Sequence, residues 1–145
     1  MKASIVWSSP EPEKTIAIAM RRCYSTKPIE EIQSELDQKG SEYWKHLIGL
    51  ALRDKSLDVV EHFCLEVLIE GLPENEAGRL AMYFPFMRFL KISQDVWLVS
   101  INARTLIEAY HTPEGKGVMS EIMAAMKKSD VGSDFLQVAF GEVAN

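Results

Sequence analysis

The strongest constraint on the fold is that strand-like and helix-like hydrophobic periods occur in one chain. Apolar residues alternate at Phe63, Leu65, Val67 and Ile69, and a second alternating, β-rich run covers Val96 to Ile101. Alternation of this kind puts apolar side chains on one face of a strand. We therefore predict strands in both segments, although VEHFCLEVLIEG can also be read as a helix.

Most of the remaining chain has helical spacing of its apolar residues. The first predicted helix follows Ser9-Pro10 and ends near Tyr24. Five more are predicted at Pro28 to Lys39, Ser41 to Arg53, Glu74 to Phe84, Ala103 to Tyr110 and Val118 to Lys128. Further strands are predicted at Ala3 to Trp7, at Phe86 to Ile92 and, as an edge strand, at Phe135 to Phe140. The sequence thus predicts one mixed α/β (α+β) domain over residues 1–145, with an antiparallel sheet packed against helices.

The first predicted helix has both a start signal and an apolar stripe. Ser9 is interpreted as its cap and Pro10 as its first-turn proline. Its stripe has the i, i+3, i+4, i+7 spacing of a buried helix face: Ile16, Ala19, Met20 and Cys23. We expect this helix to pack against the third helix.

Composition excludes several classes of protein. The 145 residues carry a formal net charge of −5, which argues against a general nucleic-acid surface. No segment approaches the roughly twenty consecutive apolar residues of a membrane span, and the first residues do not resemble a signal peptide. Cys23 and Cys64 lack metal-site spacing, so we expect reduced thiols and no metal. The expectation is a cytoplasmic protein that binds neither membranes nor nucleic acid.

Two polar clusters lie beside the predicted strands. Asn102 and Arg104 stand where a strand ends and a helix begins, a place that gathers free backbone N–H groups for an anion. An equally good interpretation makes Asn102 a helix cap and Arg104 a solvated residue. Glu61 and His62 precede the other strand, where the carboxylate can fix the tautomer of the imidazole.

Three segments of the chain resemble the flavin-dependent thymidylate synthases, also called thymidylate-synthase-complementing proteins. AMRRCYS, from Ala19 to Ser25, is similar to the family's A-x-R-x-C/S-Y/F-S helix end. SLDVVEHFCLEVLIEG, from Ser56 to Gly71, is similar to its E-H-x-x-F-x-F strand. Trp97 to Leu106 resembles its N-A-R-S/A-L segment, and Gly71 to Pro85 resembles the helix before it. The segments occur in the family's order.

One part of the family pattern is missing. The signature R-H-R-x-x-S-x-N-x-x-S-x-R-Y should follow the E-H strand, but Gly71 leads directly into the next helix. After Arg104, the loop HTPEGKG replaces a leucine-arginine pair and a histidine. Those arginines and serines contact flavin and deoxyuridylate in the family. The departure therefore predicts a relative without thymidylate synthase activity of its own.

The resemblance also implies a ligand, site residues and an assembly. It suggests flavin adenine dinucleotide (FAD) as cofactor, with His62, Cys23 and Asn102 at flavin-contacting positions, and a nucleotide ligand held by Arg79 and Arg104. The family is homotetrameric, so we expect a dimer or tetramer. Two alternatives are an active flavoenzyme of nucleotide metabolism whose site is completed between subunits, and a protein-interaction module without a small ligand.

Overall fold

A four-stranded sheet forms the centre of the structure, a computed structural model that describes residues 1–141. Its strands are β1 (Lys2–Ser8), β2 (Cys64–Glu70), β3 (Arg88–Ser93) and β4 (Val96–Asn102). They pair in the order β1-β2-β4-β3, and every neighbouring pair is antiparallel. The prediction of a mixed α/β fold with an antiparallel sheet is confirmed. Residues 142–145 of the predicted domain lie outside the described part.

Helices account for most of the other described residues. They are α1 (Pro12–Tyr24), α2 (Ile29–Lys39), α3 (Ser41–Arg53), α4 (Glu74–Tyr83), α5 (Ala103–Tyr110), α6 (Lys116–Lys128) and α7 (Ser133–Phe140). A single turn of 3-10 helix, Val59–His62, precedes β2. The predicted packing of the first helix against the third is confirmed. Within residues 1–141, no helix is both long and apolar enough to cross a membrane.

One face of the sheet supplies the strand part of the hydrophobic core. The inward residues of β2 and β4 are buried: Leu65, Val67, Ile69, Trp97, Val99 and Ile101. Apolar residues of the helices pack against this face and complete one continuous cluster. Residues that alternate with the inward ones, such as Leu68 and Leu98, do not belong to that cluster. The two faces of the sheet therefore have different environments.

The predicted edge strand at Phe135 to Phe140 is wrong, because this segment forms α7. Its three buried residues, Phe135, Leu136 and Phe140, lie on one helical face, and Val138 and Ala139 pack against the core beside them. The ring of Phe135 meets that of Phe63 edge to face, with 5.3 Å between the ring centroids. Packing against a neighbour distant in sequence decides the conformation of this short segment.

Ser9 does not cap α1, so that part of the prediction is also wrong. The residue at the cap position is Glu11, whose backbone is left-handed with φ of 42°, and α1 begins at Pro12. Ser9 instead turns inward and is buried. Its hydroxyl oxygen accepts a hydrogen bond from the Cys64 backbone N–H at 2.8 Å.

Candidate ligand site

A cleft of about 420 Å³ lies between α1 and the Val59–His62 turn. Five of its lining residues come from α1 and three from the turn and the residue before it: Thr15, Ile18, Ala19, Arg22 and Cys23, with Asp58, Val59 and His62. Its volume is within the range of about 300–1,000 Å³ usual for small-molecule sites. The cleft brings together Cys23 and His62, two of the sequence-predicted site residues.

The cleft exists because α1 buries a different stripe from the predicted one. Ile16, Ala17 and Met20 face the core, whereas Ala19 is only partly buried and Cys23 is exposed. The prediction of the buried stripe is therefore wrong for Cys23, whereas Ala19 packs against the core but is only partly buried. Both residues line the cleft on the neighbouring face of the helix.

The chemistry of the cleft suits a flat, partly polar ligand. Ile18, Ala19 and Val59 provide an apolar wall, while the other lining residues are polar or charged. Arg22 uses one nitrogen to donate to the Lys27 carbonyl at 3.1 Å, and a guanidinium has further donors for a ligand. The apolar wall suits a ring system, and Arg22 can reach a negatively charged group attached to that ring.

Buried hydrogen bonds to Ser9 fix the position of His62. The Ser9 hydroxyl donates to the His62 carbonyl at 3.2 Å, and the Ser9 N–H donates to the Cys64 carbonyl at 3.0 Å. β1 is thereby tied to the junction between the Val59–His62 turn and β2. The His62 side chain is exposed at the end of this fixed backbone, so it is available to a ligand. Burial raises the pKa of the adjacent Cys64 thiol.

Glu61 does not orient His62, contrary to the sequence interpretation. Its carboxylate accepts a hydrogen bond from Arg104 Nη1 at 3.0 Å. Arg104 Nε also donates to Glu108, at 2.8 Å. These bonds, first to Glu108 and then to Glu61, raise the pKa of Arg104. Arg104 thus links α5 to the Val59–His62 turn beside the cleft, but it does not line the cleft.

Asn102 is the cap of α5. Its side-chain oxygen accepts a hydrogen bond from the Thr105 backbone N–H at 2.9 Å, an interaction that stabilises a helix by about 1 kcal/mol. The following N–H, that of Ala103, donates to the Phe63 carbonyl at 2.8 Å. The cap interpretation is therefore confirmed for Asn102, whereas Arg104 is not simply solvated, because it forms ion pairs with Glu61 and Glu108. The hydrogen bond between Ala103 and Phe63 places the junction of β4 and α5 next to the residue that follows His62.

Arg79 lies far from the other candidate residues. It shares a separate cleft of about 260 Å³ with Met1, Glu76 and Pro113, among others. Met1 precedes β1, and β1 runs antiparallel to β2 with Lys2 opposite Glu70 and Ser8 opposite Leu65. A strand of seven residues spans roughly 20 Å. Arg79 and His62 are thus at opposite ends of the sheet.

Sequence reasoning missed three polar residues of the cleft: Thr15, Arg22 and Asp58. A signal for two of them was present, because Thr15, Ala19 and Arg22 have i, i+4, i+7 spacing and form a second stripe on α1. The stripe was not recognised because it mixes polar and small residues. Asp58 precedes an irregular turn, for which periodicity gives no signal.

Comparisons with known proteins give no independent identification. The chain matches no protein-family model and none of the curated proteins.

Proposed function

We propose that this protein is a divergent relative of the flavin-dependent thymidylate synthases that binds a flavin or a nucleotide and does not form thymidylate on its own. FAD is the first candidate ligand, and the cleft between α1 and the Val59–His62 turn is its proposed site. The proposal includes association of at least two copies of the chain.

One observation carries the ligand proposal. Cys23 and His62 are the residues that the resemblance relates to flavin contact, and both line one cleft although 38 residues separate them in the chain. The two residues belong to separate short segments of the chain. Their convergence on a cleft of suitable volume supports a shared function for the two segments.

The lining residues fit part of a flavin. Ile18 and Val59 can contact the face of an aromatic ring, and His62 can hydrogen-bond to its polar edge. Arg22 can approach a phosphate from the end of α1. A bound reduced flavin would supply hydride chemistry, while the residues of this chain would position the ring and limit its contact with water.

The position of Arg79 favours a second candidate function, a flavoenzyme whose site is completed between subunits. A single chain cannot bring Arg79 to His62, because they lie at opposite ends of the sheet. A second copy that joins the first end to end can bring its own Arg79 to the first copy's cleft. This arrangement would restore one of the cationic groups that the missing signature segment removes.

Filling the cleft is expected to weaken flavin binding strongly. In the variant Ala19→Trp, the indole would occupy the space beside Ile18 and Val59, so the affinity for FAD or flavin mononucleotide should fall at least about tenfold, equivalent to about 1.4 kcal/mol. Equilibrium dialysis read at the flavin absorbance measures this without interference from the added tryptophan.

The matched control is Ala124→Trp, which places the same side chain at an exposed position of α6. Its flavin affinity should equal that of the wild type.

His62→Ala should weaken binding about fivefold, the effect of one hydrogen bond, whereas His111→Ala at another exposed histidine should not. A wild-type protein that binds no flavin, or an Ala19→Trp protein that binds it normally, contradicts the proposal.

The isolated protein is expected to form no thymidylate from deoxyuridylate, methylenetetrahydrofolate and reduced flavin. The physical reason is that the signature segment with its arginines is missing, so no preorganised cations hold the phosphate and the developing charge on the pyrimidine. Product formation is followed by chromatography, with an active member of the family as the positive control. Turnover above the protein-free background would instead favour the flavoenzyme with a site between subunits.

A further inference from the structure

The face of the sheet opposite the core carries a row of leucines. Leu68 of β2 lies opposite Leu98 of β4, and Leu98 lies opposite Leu90 of β3. None of these three residues belongs to the hydrophobic core, and Leu90 is 60% exposed. A sheet that faces water on one side normally alternates apolar and polar residues. The second face of this sheet instead carries the leucine row beside polar residues such as Ser4 and Glu66, and we call it the leucine face.

A second row on the leucine face contains an aromatic residue at one edge and a cation at the other. Trp7 of β1 lies opposite Glu66 of β2, Glu66 opposite Ser100 of β4, and Ser100 opposite Arg88 of β3. Trp7 is 51% exposed and Arg88 is exposed. Ser100 donates to the Glu66 carboxylate at 2.7 Å, so the middle of the row is already paired. The groups at its two ends are available to a partner.

These two rows make the leucine face complementary to itself. In a dimer whose two-fold axis runs along the strands between β2 and β4, Leu68 of one copy lies over Leu98 of the other. The same rotation brings Arg88 over Trp7 of the second copy, a favourable cation–π pair. Both contacts occur twice in the dimer, because a two-fold interface is made by the same surface on each subunit.

The size of the leucine face is sufficient for such a dimer. Four strands about 4.8 Å apart and six to seven residues long cover roughly 400 Å² in projection, and their side chains expose more area than the projection. Two such faces therefore bury about 800 Å² in projection and somewhat more with their side chains, which is the size of a weak, transient interface. A dissociation constant in the micromolar range is consistent with this area.

We infer that the leucine face is where two copies of this chain associate, sheet against sheet, with Arg88 of each copy over Trp7 of the other. That two copies of the chain associate is part of the proposed function, and the inference rests on it. New here are the surface through which they associate, the symmetry axis and a specific pair of residues. It does not depend on which ligand the cleft binds.

The test is sedimentation velocity of the purified full chain over a range of micromolar concentrations. We expect the wild type to form at least a dimer, and Leu90→Lys to raise the dissociation constant at least about tenfold, because it places a charge inside the interface. Leu90→Ser should also raise the dissociation constant, but by a smaller factor. Arg88→Ala should raise the constant by about fourfold to twenty-five-fold, because the dimer loses two cation–π pairs, each worth about twofold to fivefold at a partly exposed site.

The matched control is Met82→Lys, since Met82 is 86% exposed on α4, outside the sheet. It should associate like the wild type, and circular dichroism should show that all variants are folded. A monomeric wild type, normal association of the two Leu90 variants, or dissociation by Met82→Lys alone would overturn the inference. Flavin binding is measured separately, so a monomer that binds flavin overturns the dimer alone, and a dimer that binds none overturns the ligand proposal alone.

Discussion

Replacing Phe135 with alanine is expected to lower the free energy of unfolding by about 3–5 kcal/mol, the usual cost of removing a buried phenylalanine. Phe135 is fully buried, and its ring meets those of Phe63 and Phe140 edge to face. The neighbouring aromatic rings cannot collapse fully into the space that would be left. Urea denaturation followed by circular dichroism at equilibrium measures the change.

Phe86→Ala is the control for this substitution. Phe86 is 73% exposed in the segment between α4 and β3, so its loss should change the free energy of unfolding by no more than about 0.5 kcal/mol. Similar effects for the two variants would mean that α7 does not pack on the core as described.

The elements predicted most accurately have strong signals at their ends. α3 begins at Ser41 as predicted because Gly40, with φ of 78°, takes the backbone conformation that separates it from α2. α5 begins at Ala103 because a single residue, Asn102, both ends β4 and caps the helix. Local chemistry determines such boundaries, and local chemistry can be read from a sequence.

The segment that became α7 lacks a decisive local signal. Its eight residues, SDFLQVAF, contain apolar side chains at spacings that fit both a strand and a helix. The choice depends on Phe63, 72 positions earlier in the chain, whose ring packs against Phe135. Contacts between residues so far apart are not visible in periodicity alone.

Of the five site residues that the family resemblance supplied, Cys23 and His62 line the cleft, whereas Asn102, Arg79 and Arg104 do not. The partner of Glu61 was not predictable, because Arg104 lies 43 positions later and approaches only when α5 folds beside the Val59–His62 turn. Nothing in the sequence indicated that Arg79 would lie at the other end of the sheet.

Replacing Gly132 with alanine is expected to lower the free energy of unfolding by about 2–4 kcal/mol. Gly132 has φ of 65°, and a Cβ atom at this position would lie 2.7 Å from the Phe63 ring. A left-handed alanine costs about 1 kcal/mol or more, and overpacking in a core costs a further 1–3 kcal/mol.

Gly78→Ala is the matched control, because Gly78 lies inside α4 and its added Cβ meets no atom within 4 Å. That control should be stabilised by about 0.5–1 kcal/mol, since alanine favours helix over glycine. Denaturation of both variants beside the wild type gives the two values. Equal stability of the Gly132→Ala protein and the wild type would show that the Phe63 ring can move away, and with it the start of α7.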